Sequence, residues 1–345
     1  MAVRMKDIAD DLGISVVTVS KVFNNHLDIS AATRERVLQR MKELNYQPSL
    51  HAQGLVSGHT LMVGLVVPDL VHAFFSEVAK SIASELRKKG FGLVIASSDE
   101  DPELERQEID QMMRRRVDVL ILASCQTDCE SLKKIAEQSV PLILIDRNFE
   151  GYETNFVGTD DVLFGKLATE HLIALGRRRV AHIGGRRGVS TSEGRFLGYK
   201  KVLARHRIAL DEKYVVQRER GDESGDSTGR KAMEKLLRTH PIPDAVFCYN
   251  DPAAIGAMNA ILAAGLKIPE DIAVVGGGNI RYADSFRVPL SSVSISTRSL
   301  GEHTGKLALQ LAASKKPIGP KTFLIRPKLV IRESSKQRGA RSTQR

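Results

Sequence analysis

The stretch from Met5 to Asn24, MKDIADDLGISVVTVSKVFN, determines the fold of the N-terminal region. Its first apolar residues recur at the spacing of one helix face: Met5, Ile8, Ala9 and Leu12. Gly13 is expected to end this helix, and Ser15 to cap the next one. Val19 and Phe23, four residues apart, continue the buried stripe on the second helix. The stretch therefore predicts two short helices joined by a tight glycine turn.

A third helix is predicted in the segment ISAATRERVLQRMKELNYQP, residues 29–48. Ser30 is its expected N-cap. The residues expected to face the core are Val37, Leu38, Met41 and Leu44. Two short helices around a glycine turn, braced by a third, form a helix-turn-helix unit. A small helical bundle with no role in nucleic-acid binding would show the same spacing.

The second helix would present a small, weakly polar surface to a DNA major groove. Val16 and Val17 are expected over base edges, where their methyl groups can contact a thymine methyl, and Lys21 can donate to guanine acceptors. Phosphate contacts are expected from the amides that open the third helix and from Thr18, Ser20, Asn24 and Thr33. The remaining residues assigned to this interface are Lys6, Ser15 and Ser30.

Charge alone does not establish a nucleic-acid partner. The formal net charge is +10, but the first sixty residues hold seven Lys and Arg against six Asp and Glu. Much of the excess lies in three arginine clusters, at 114–116, 177–179 and 186–187, and in the tail. Such clusters are usually solvated helix ends and loops, so the interpretation depends on the local helix pattern.

Composition excludes several other classes of protein. A 42% apolar and 27% charged chain is ordinary for a soluble globular protein, and no apolar run is long enough for a transmembrane helix. Acidic residues near the N-terminus argue against an export signal, so we expect a cytoplasmic protein with no membrane partner. Three cysteines are too few for a disulfide framework, and Cys125 and Cys129 lack the partners of a metal site. No metal or cofactor is predicted.

From Leu61 onward, short apolar runs alternate with amphipathic helical patterns. The runs are LMVGLVV, FGLVIA, VDVLILA, PLILID, RVAHIG, DAVFCY and IAVVGG. This alternation predicts parallel sheets covered by helices, and the length suits two lobes rather than one core. Ligands bind such sheets beyond the carboxyl ends of the strands. The glycine-rich segment 276–279 lacks nucleotide-loop spacing, and no catalytic motif is present, so we expect a binding protein and not an enzyme.

Three segments carry a specific resemblance. MKDIADDLGISVVTVSKVFN, ISAATRERVLQRMKELNYQP and AQGLVSGHT (residues 52–60) resemble, nearly residue for residue, the headpiece and hinge of the lactose and galactose repressor (LacI/GalR) family. In that family the hinge becomes helical only on the operator, where paired leucines open a base step from the minor groove. Leu55 occupies the leucine position, and Gly54 departs from the pattern. From the residues alone, the hinge segment 47–60 is either a plain linker or a segment that folds on DNA.

The resemblance extends over the α/β region, which is similar to a type I periplasmic-binding-protein fold. The matching landmarks are Val67-Pro68-Asp69, Phe74-Phe75, Ile145-Asp146-Arg147, Val157 to Asp161, Gly194 to Tyr199 and Tyr249 to Pro252. The implied order is a headpiece (1–46), the hinge, a two-lobed sensor and a basic, disordered tail (334–345). The first lobe would comprise residues 61–160 and 291–318, the second 161–290 and 319–333, with three crossings between them. Because the tail lacks a leucine heptad, a homodimer is expected.

An effector would bind between the lobes of such a protein. The residues assigned to it are Asp69, Phe74, Phe75, Asp146, Arg147, Asp160, Thr191, Arg195, Glu223, Asn250 and Asn279. Arg195 opens a helix with an apolar face and requires an anionic or hydroxyl-rich partner, while Asn250 offers both a donor and an acceptor. Several of the aspartates could instead cap helices or close turns, and one of the two phenylalanines could belong to the core.

Two departures from the family pattern bear on the ligand. Gly278 stands where the family commonly has an acid, and Glu223 stands where an aromatic residue often stacks on the ligand. With few aromatic residues left, a flat base is not expected in this pocket. A sugar, polyol or sugar acid fits better, with Asn279 and Glu223 compensating.

The resemblance implies a ligand-responsive regulator, most simply a repressor, that binds a palindromic operator as a dimer. Effector binding in the cleft would change operator affinity, either as inducer or as corepressor. The competing class is a soluble sugar-binding or sugar-modifying protein that shares only the lobes. That class does not account for the first sixty residues.

Overall fold

The chain forms two compact units, Met1–Leu61 and Met62–Arg345. The computed structural model describes residues 3–23, 26–46, 59–137, 140–218, 225–314, 316 and 318–336. Within these ranges, no helix is both long and apolar enough to cross a membrane.

The first unit contains three helices: α1 (Met5–Leu12), α2 (Val16–Phe23) and α3 (Ala31–Glu43). Its buried core comprises Ile8, Ala9, Val19, Val22, Val37 and Met41. The prediction that Leu38 faces this core is wrong, because 48% of Leu38 is exposed. Val37 and Met41 lie four residues apart on one face of α3, and the helical rotation of about 100° per residue turns Leu38 away from that face.

The predicted helix ends are confirmed. Gly13 ends α1 in the left-handed conformation, with φ at 66°, which a residue without Cβ adopts at no steric cost. The Ser15 hydroxyl accepts a hydrogen bond from the Thr18 amide at 3.1 Å, and the Ser30 hydroxyl accepts one from the Thr33 amide at 3.2 Å. Both serines therefore satisfy backbone donors that open the next helix.

The second unit begins with a parallel sheet in the order β11-β5-β4-β3-β1-β2. Its strands are β1 (Met62–Val67), β2 (Gly92–Ser97), β3 (Val119–Leu122), β4 (Leu142–Ile145), β5 (Asn155–Thr159) and β11 (Thr322–Ile325). The helices packed with it are α4 (Ala73–Arg87), α5 (Pro102–Arg114), α6 (Glu130–Glu137) and α11 (Thr297–Ala313). These elements form the first lobe.

The second lobe has a sheet in the order β12-β10-β9-β8-β6-β7, in which only β12 runs antiparallel. Its strands are β6 (Val180–Arg186), β7 (Val215–Arg218), β8 (Ala245–Cys248), β9 (Ala273–Gly278), β10 (Ser291–Ser294) and β12 (Lys328–Val330). Its helices are α7 (Asp161–Ala174), α8 (Ser190–Arg205), α9 (Asp226–Leu237) and α10 (Asp251–Ala263). A side chain at Gly165 would collide with the carbonyl group of Arg195, so α7 and α8 pack in close contact.

The chain passes between the two lobes three times, after β5, after β10 and after β11. The predicted lobe boundaries at 291 and 319 are each wrong by one strand. Ser291–Ser294 pairs with β9 in the second sheet, and Thr322–Ile325 pairs with β5 in the first. These short strands carry no signal of which sheet they extend, because that choice depends on a partner far away in the sequence.

Candidate functional site

The exposed face of α2 is the candidate DNA interface. Val17 is 64% exposed and Val16 is 43% exposed, so neither contributes to the core of the first unit. The Nζ atom of Lys21 lies 2.5 Å from a carboxylate oxygen of Asp28. An exposed pair of this kind contributes little to stability and can exchange for another partner. The face therefore offers two apolar contacts and one cation.

The other residues assigned to the DNA interface surround this face or cap its helices. Lys6 and Ser15 are exposed, while Thr18, Ser20 and Thr33 are half-buried. The hydroxyl groups of Ser15 and Thr18 lie 2.9 Å apart, and Ser30 donates to the Thr33 hydroxyl at 2.8 Å. These side chains are held in place before any DNA contact. Asn24 and Leu55, together with most of the hinge segment, lie outside the described residues.

A cavity of about 630 Å³ lies between the two lobes of the second unit. Its first-lobe wall follows the carboxyl ends of β1, β2 and β4, and its second-lobe wall follows those of β6, β8 and β9. This is the position expected for a ligand site in parallel α/β sheets, and the volume suits a small molecule. Asp99, Glu100 and Asp146 line the cavity with φ between 48° and 61°, a left-handed conformation that is uncommon for residues other than glycine.

Eight of the eleven residues assigned to the effector line this cavity: Asp69, Phe74, Phe75, Asp146, Arg147, Thr191, Arg195 and Asn250. Asp160 does not, because its carboxylate caps α7 by accepting a hydrogen bond from the Leu163 amide at 2.8 Å. Asn279 does not either, since its side-chain oxygen accepts a hydrogen bond from Arg332 at 2.8 Å. Glu223 lies outside the described residues.

Arg195 is only 7% exposed, and its partners belong to its own lobe. Its Nε atom donates to Asp161 at 2.8 Å and its Nη1 atom donates to the Tyr249 carbonyl at 2.6 Å. The guanidinium also stacks 4.1 Å above the centre of the Phe164 ring. Burial raises the pKa of Asp161 to about 7 even though the Arg195 charge opposes that shift. The arginine predicted to need a partner thus has protein partners on two of its three nitrogens.

Glu100 and Arg147 form a second charged pair in the cavity wall, 2.8 Å apart. Burial raises the pKa of the Glu100 carboxyl, but the charges of Arg147 and two further arginines outweigh it and lower the pKa. Arg186 crosses from the second lobe and donates to the carbonyl groups of Glu100, at 3.5 Å, and Cys125, at 3.4 Å. The lobes therefore touch across one edge of the cavity. Neither Glu100 nor Arg186 was predicted, because their partners lie far away in the sequence.

Three buried polar atoms of the cavity wall have no hydrogen-bond partner among the described residues: Glu100 Oε2, Arg147 Nε and Ser192 Oγ. Buried polar atoms without partners are rare in proteins and usually mark a place for water or a ligand. Here one atom accepts, one donates and one can do either. Each atom has less than 1 Å² of accessible surface, so it lies just behind the wall, and a hydroxyl group reaches it only when neighbouring side chains move.

The expectation that the pocket is poor in aromatic side chains is wrong. His72, Phe74, Phe75 and Tyr249 all line the cavity. The two phenylalanine rings pack edge to face with their centres 5.1 Å apart, and both are buried. The expectation was based on the positions of Gly278 and Glu223, whereas these rings come from the start of α4 and the end of β8. The aromatic content of the cavity wall therefore does not exclude a flat base.

The described residues contain no group of three His, Cys, Asp or Glu side chains placed to hold a metal ion. A small helical unit with a helix-turn-helix, followed by two parallel-sheet lobes around a cavity, defines a DNA-binding regulator with a ligand-binding domain.

Two family models match the chain: "Bacterial regulatory proteins, lacI family" at residues 4–49, and "Periplasmic binding protein-like domain" at residues 169–335. A ribose operon repressor from Halalkalibacterium halodurans is 33% identical over 96% of this chain and 97% of its own length. The transcriptional regulator GalR of Escherichia coli is also 33% identical, over 96% and 95%. The chain belongs to the lacI family of bacterial regulatory proteins and is a transcriptional regulator, not an enzyme.

Two solved structures show what such relatives bind. A lac repressor dimer bound to operator and an anti-inducer superposes with a TM-score of 0.86, at 28% identity, over 97% of this chain and 99% of that chain. A complex of the transcriptional regulator CelR with cellobiose superposes with a TM-score of 0.73, at 27% identity, over 96% and 99%. One relative thus binds operator DNA as a dimer and another binds a sugar.

Proposed function

We propose that this regulator is a repressor that binds a palindromic operator as a homodimer. A small hydroxylated effector that enters the inter-lobe cavity would raise or lower its affinity for the operator. The observation that carries the ligand part is a set of polar atoms at the cavity wall that make no hydrogen bond to the described residues: Glu100 Oε2, Ser192 Oγ and Arg147 Nε, the last of which lies 3.8 Å from an Asp146 carboxylate oxygen. Hydroxyl groups both donate and accept, so the hydroxyl groups of a sugar or polyol suit polar atoms of both kinds.

The DNA part of the proposal is supported by the exposed face of α2. Val16 and Val17 would contact base edges in the major groove, and Lys21 would exchange Asp28 for a guanine or a phosphate. Phosphate contacts from Lys6, Ser20 and the capped helix starts would fix the register. Leu55 and Asn24, outside the described residues, remain assigned to this interface by the family pattern.

The regulatory part follows from the two-lobed architecture. A ligand that touches both walls of the cavity favours one separation of the lobes over others, and it can change operator affinity only through that difference. If the favoured arrangement brings the two DNA-binding units of a dimer into register with both half-sites, the effector is a corepressor; otherwise it is an inducer. Both signs are compatible with the same cavity.

The DNA part is tested by measuring binding to the region beside the gene, by gel shift at two salt concentrations. We expect a sequence-preferring band that weakens as salt rises. Val17→Ala removes two methyl groups from the interface and should weaken specific binding roughly tenfold. Leu38→Ala, which removes an exposed apolar side chain from α3, is the matched control and should leave binding unchanged. A chain that binds all sequences equally, or none, would exclude this function and favour a sugar-binding protein without a DNA target.

The effector part is tested by thermal shift with sugars, polyols, sugar acids and nucleobases, because a ligand of the native state raises its melting point. Arg195→Ala should abolish the shift while operator binding persists. Since Arg195 also neutralises Asp161, the double variant Arg195→Ala/Asp161→Asn keeps the charge balance of the lobe and separates ligand binding from lobe stability. A shift with nucleobases alone would contradict the proposal.

A further inference from the structure

Two hydrogen-bond donors, one from each lobe, lie close together in the cavity wall. His72 caps α4, because its Nδ1 atom accepts a hydrogen bond from the Phe74 amide at 3.3 Å. Asn250 caps α10, because its Oδ1 atom accepts one from the Ala253 amide at 2.9 Å. The acceptor atom of each side chain is therefore engaged within its own lobe. The other nitrogen atoms of the two side chains, His72 Nε2 and Asn250 Nδ2, lie 3.4 Å apart.

The protonation of His72 follows from its surroundings. Burial lowers the pKa of this imidazole, although the charges of Asp146 and Asp69 oppose that shift, so the ring is neutral at neutral pH. A neutral imidazole has one proton, and the Nδ1 lone pair is already engaged by the helix cap. The proton therefore sits on Nε2 and points toward the amide of Asn250. Two donors cannot bond to each other, so this contact is completed only by an acceptor atom placed against both.

Arg195 adds a third donor to this part of the cavity. Its Nη2 atom makes no hydrogen bond to any residue that the structure describes, whereas its other two nitrogens are engaged. The arginine lines the same cavity as His72 and is close enough for its charge to help lower the pKa of that ring. A planar guanidinium edge binds carboxylate oxygens better than any neutral group.

Five acids and four arginines also line the cavity, and three of the acids accept hydrogen bonds within the chain. Asp69 accepts from the Val71 amide at 2.7 Å, Asp99 from the Ser97 hydroxyl at 2.6 Å and Asp226 from the Ser227 amide at 3.0 Å. The bonds of Asp69 and Asp99 hold loops that line the cavity, and that of Asp226 lies at the start of α9. Of the other two acids, Asp146 lies 3.8 Å from Arg147 Nε and its charge opposes the lowering of the His72 pKa. Glu100 pairs with Arg147 through one oxygen, and its Oε2 atom makes no hydrogen bond to the described residues.

We propose that the effector is a polyhydroxylated carboxylic acid, a sugar acid, whose carboxylate binds between His72, Asn250 and Arg195 while a hydroxyl group donates to Glu100. This inference rests on the proposed function and names the chemical class of its ligand. It also makes His72 the residue that selects acids over neutral sugars. Because His72 belongs to the first lobe and Asn250 to the second, the carboxylate would join the two lobes.

The test uses the full-length protein and matched pairs of ligands: glucose with gluconate and glucuronate, and galactose with galactonate and galacturonate. Binding is measured by titration calorimetry and by the response of the gel shift. At least one acid should bind, and it should bind roughly tenfold or more tightly than its parent sugar, since hydrogen bonds to a charged group are about twice as strong as neutral ones.

The variant His72→Asn separates the two roles of His72. Asparagine is a good N-cap, so α4 keeps its cap while the Nε2 donor is lost. We expect affinity for the acid to fall roughly tenfold and affinity for the parent sugar to change by less than about twofold. Ser190→Ala is the matched control: it removes a different contact between the lobes, the 3.0 Å hydrogen bond from the Asn148 amide, and should leave the preference for the acid intact.

The outcomes distinguish this inference from the function on which it rests. If neutral sugars bind as tightly as their acids, or if His72→Asn weakens both equally, the acid class is wrong and the regulator remains. If no sugar, polyol or acid alters DNA binding or the melting point, the hydroxylated effector itself is wrong, and the acid is excluded with it.

Discussion

The buried imidazole of His182 should make the second lobe sensitive to acid. His182 is fully buried under α8, with its ring 5.5 Å from that of Phe196, 5.2 Å from that of Tyr199 and 4.8 Å from that of Phe247. Its Nδ1 atom lies 3.1 Å from the Phe247 carbonyl, and its Nε2 atom has no partner among the described residues. Burial lowers its pKa from 6.5 to about 4.

The direction in which pH changes the free energy of unfolding follows from the number of protons that the folded and unfolded chains bind. Between pH 6.5 and about 4, the unfolded chain binds a proton at this histidine and the folded chain does not. Stability that is present at neutral pH is therefore lost as the pH falls through this window. The two pKa values give a loss of about 2 kcal/mol between pH 7 and pH 5 and about 3 kcal/mol at pH 4 from this group alone. Because α8 carries Arg195, ligand binding should weaken over the same range.

The assay is urea unfolding of the full chain followed by circular dichroism, since the sequence contains no tryptophan to report by fluorescence. His182→Phe keeps an aromatic ring in the stack and removes the titrating group. The free energy of unfolding of the variant should depend less on pH between 7 and 5, by about 2 kcal/mol, whatever its absolute stability. His182→Gln, which is also uncharged, should flatten the profile in the same way. Parallel profiles for wild type and both variants would refute this account of His182.

Other expected outcomes test packing, capping and charge. Gly165→Ala places a methyl group in the contact between α7 and α8 and should lower the free energy of unfolding by roughly 1–3 kcal/mol or more; Gly319→Ala, which meets open space, should change it little, as urea unfolding would show. Ser30→Ala removes the cap of α3 and should destabilise the first unit by about 1 kcal/mol, a loss that Ser30→Asp restores in thermal melts. Asp28→Asn frees Lys21 and removes a negative charge near the DNA, so affinity at low salt should rise and its salt dependence should steepen; unchanged affinity would show that Lys21 does not reach DNA.

Local signals explain what could be predicted from the sequence. Gly13, Ser15 and Ser30 act through backbone groups three or four residues away, so turn and cap chemistry placed them correctly. The apolar runs predicted the central strands for the same reason: a strand buried on both faces has an unmistakable composition. The position of the cavity then followed from the rule for carboxyl ends of parallel strands.

Residues that act over long distances escaped prediction. Arg195 was expected to need an anionic or hydroxyl-rich partner and was assigned to the effector, yet Asp161, 34 positions earlier, supplies an anionic partner from the neighbouring helix. His72 went unnoticed because a histidine before a helix resembles an ordinary cap until Asn250 is seen opposite it. Asp160 was assigned to the ligand although its cap role is local, because a landmark of the family pattern outweighed the simpler reading.

The last two strands have a consequence for the order in which the protein is made. Thr322–Ile325 completes the sheet of the first lobe and Lys328–Val330 completes that of the second, with two residues between them. Neither sheet has its full set of strands until synthesis has passed Val330, whereas the first unit, Met1–Leu61, is complete much earlier. In a chain that stops before Thr322, β5 and β10 are the edge strands of the two sheets in place of β11 and β12. Such a chain would have a complete first unit but two lobes that each lack one edge strand.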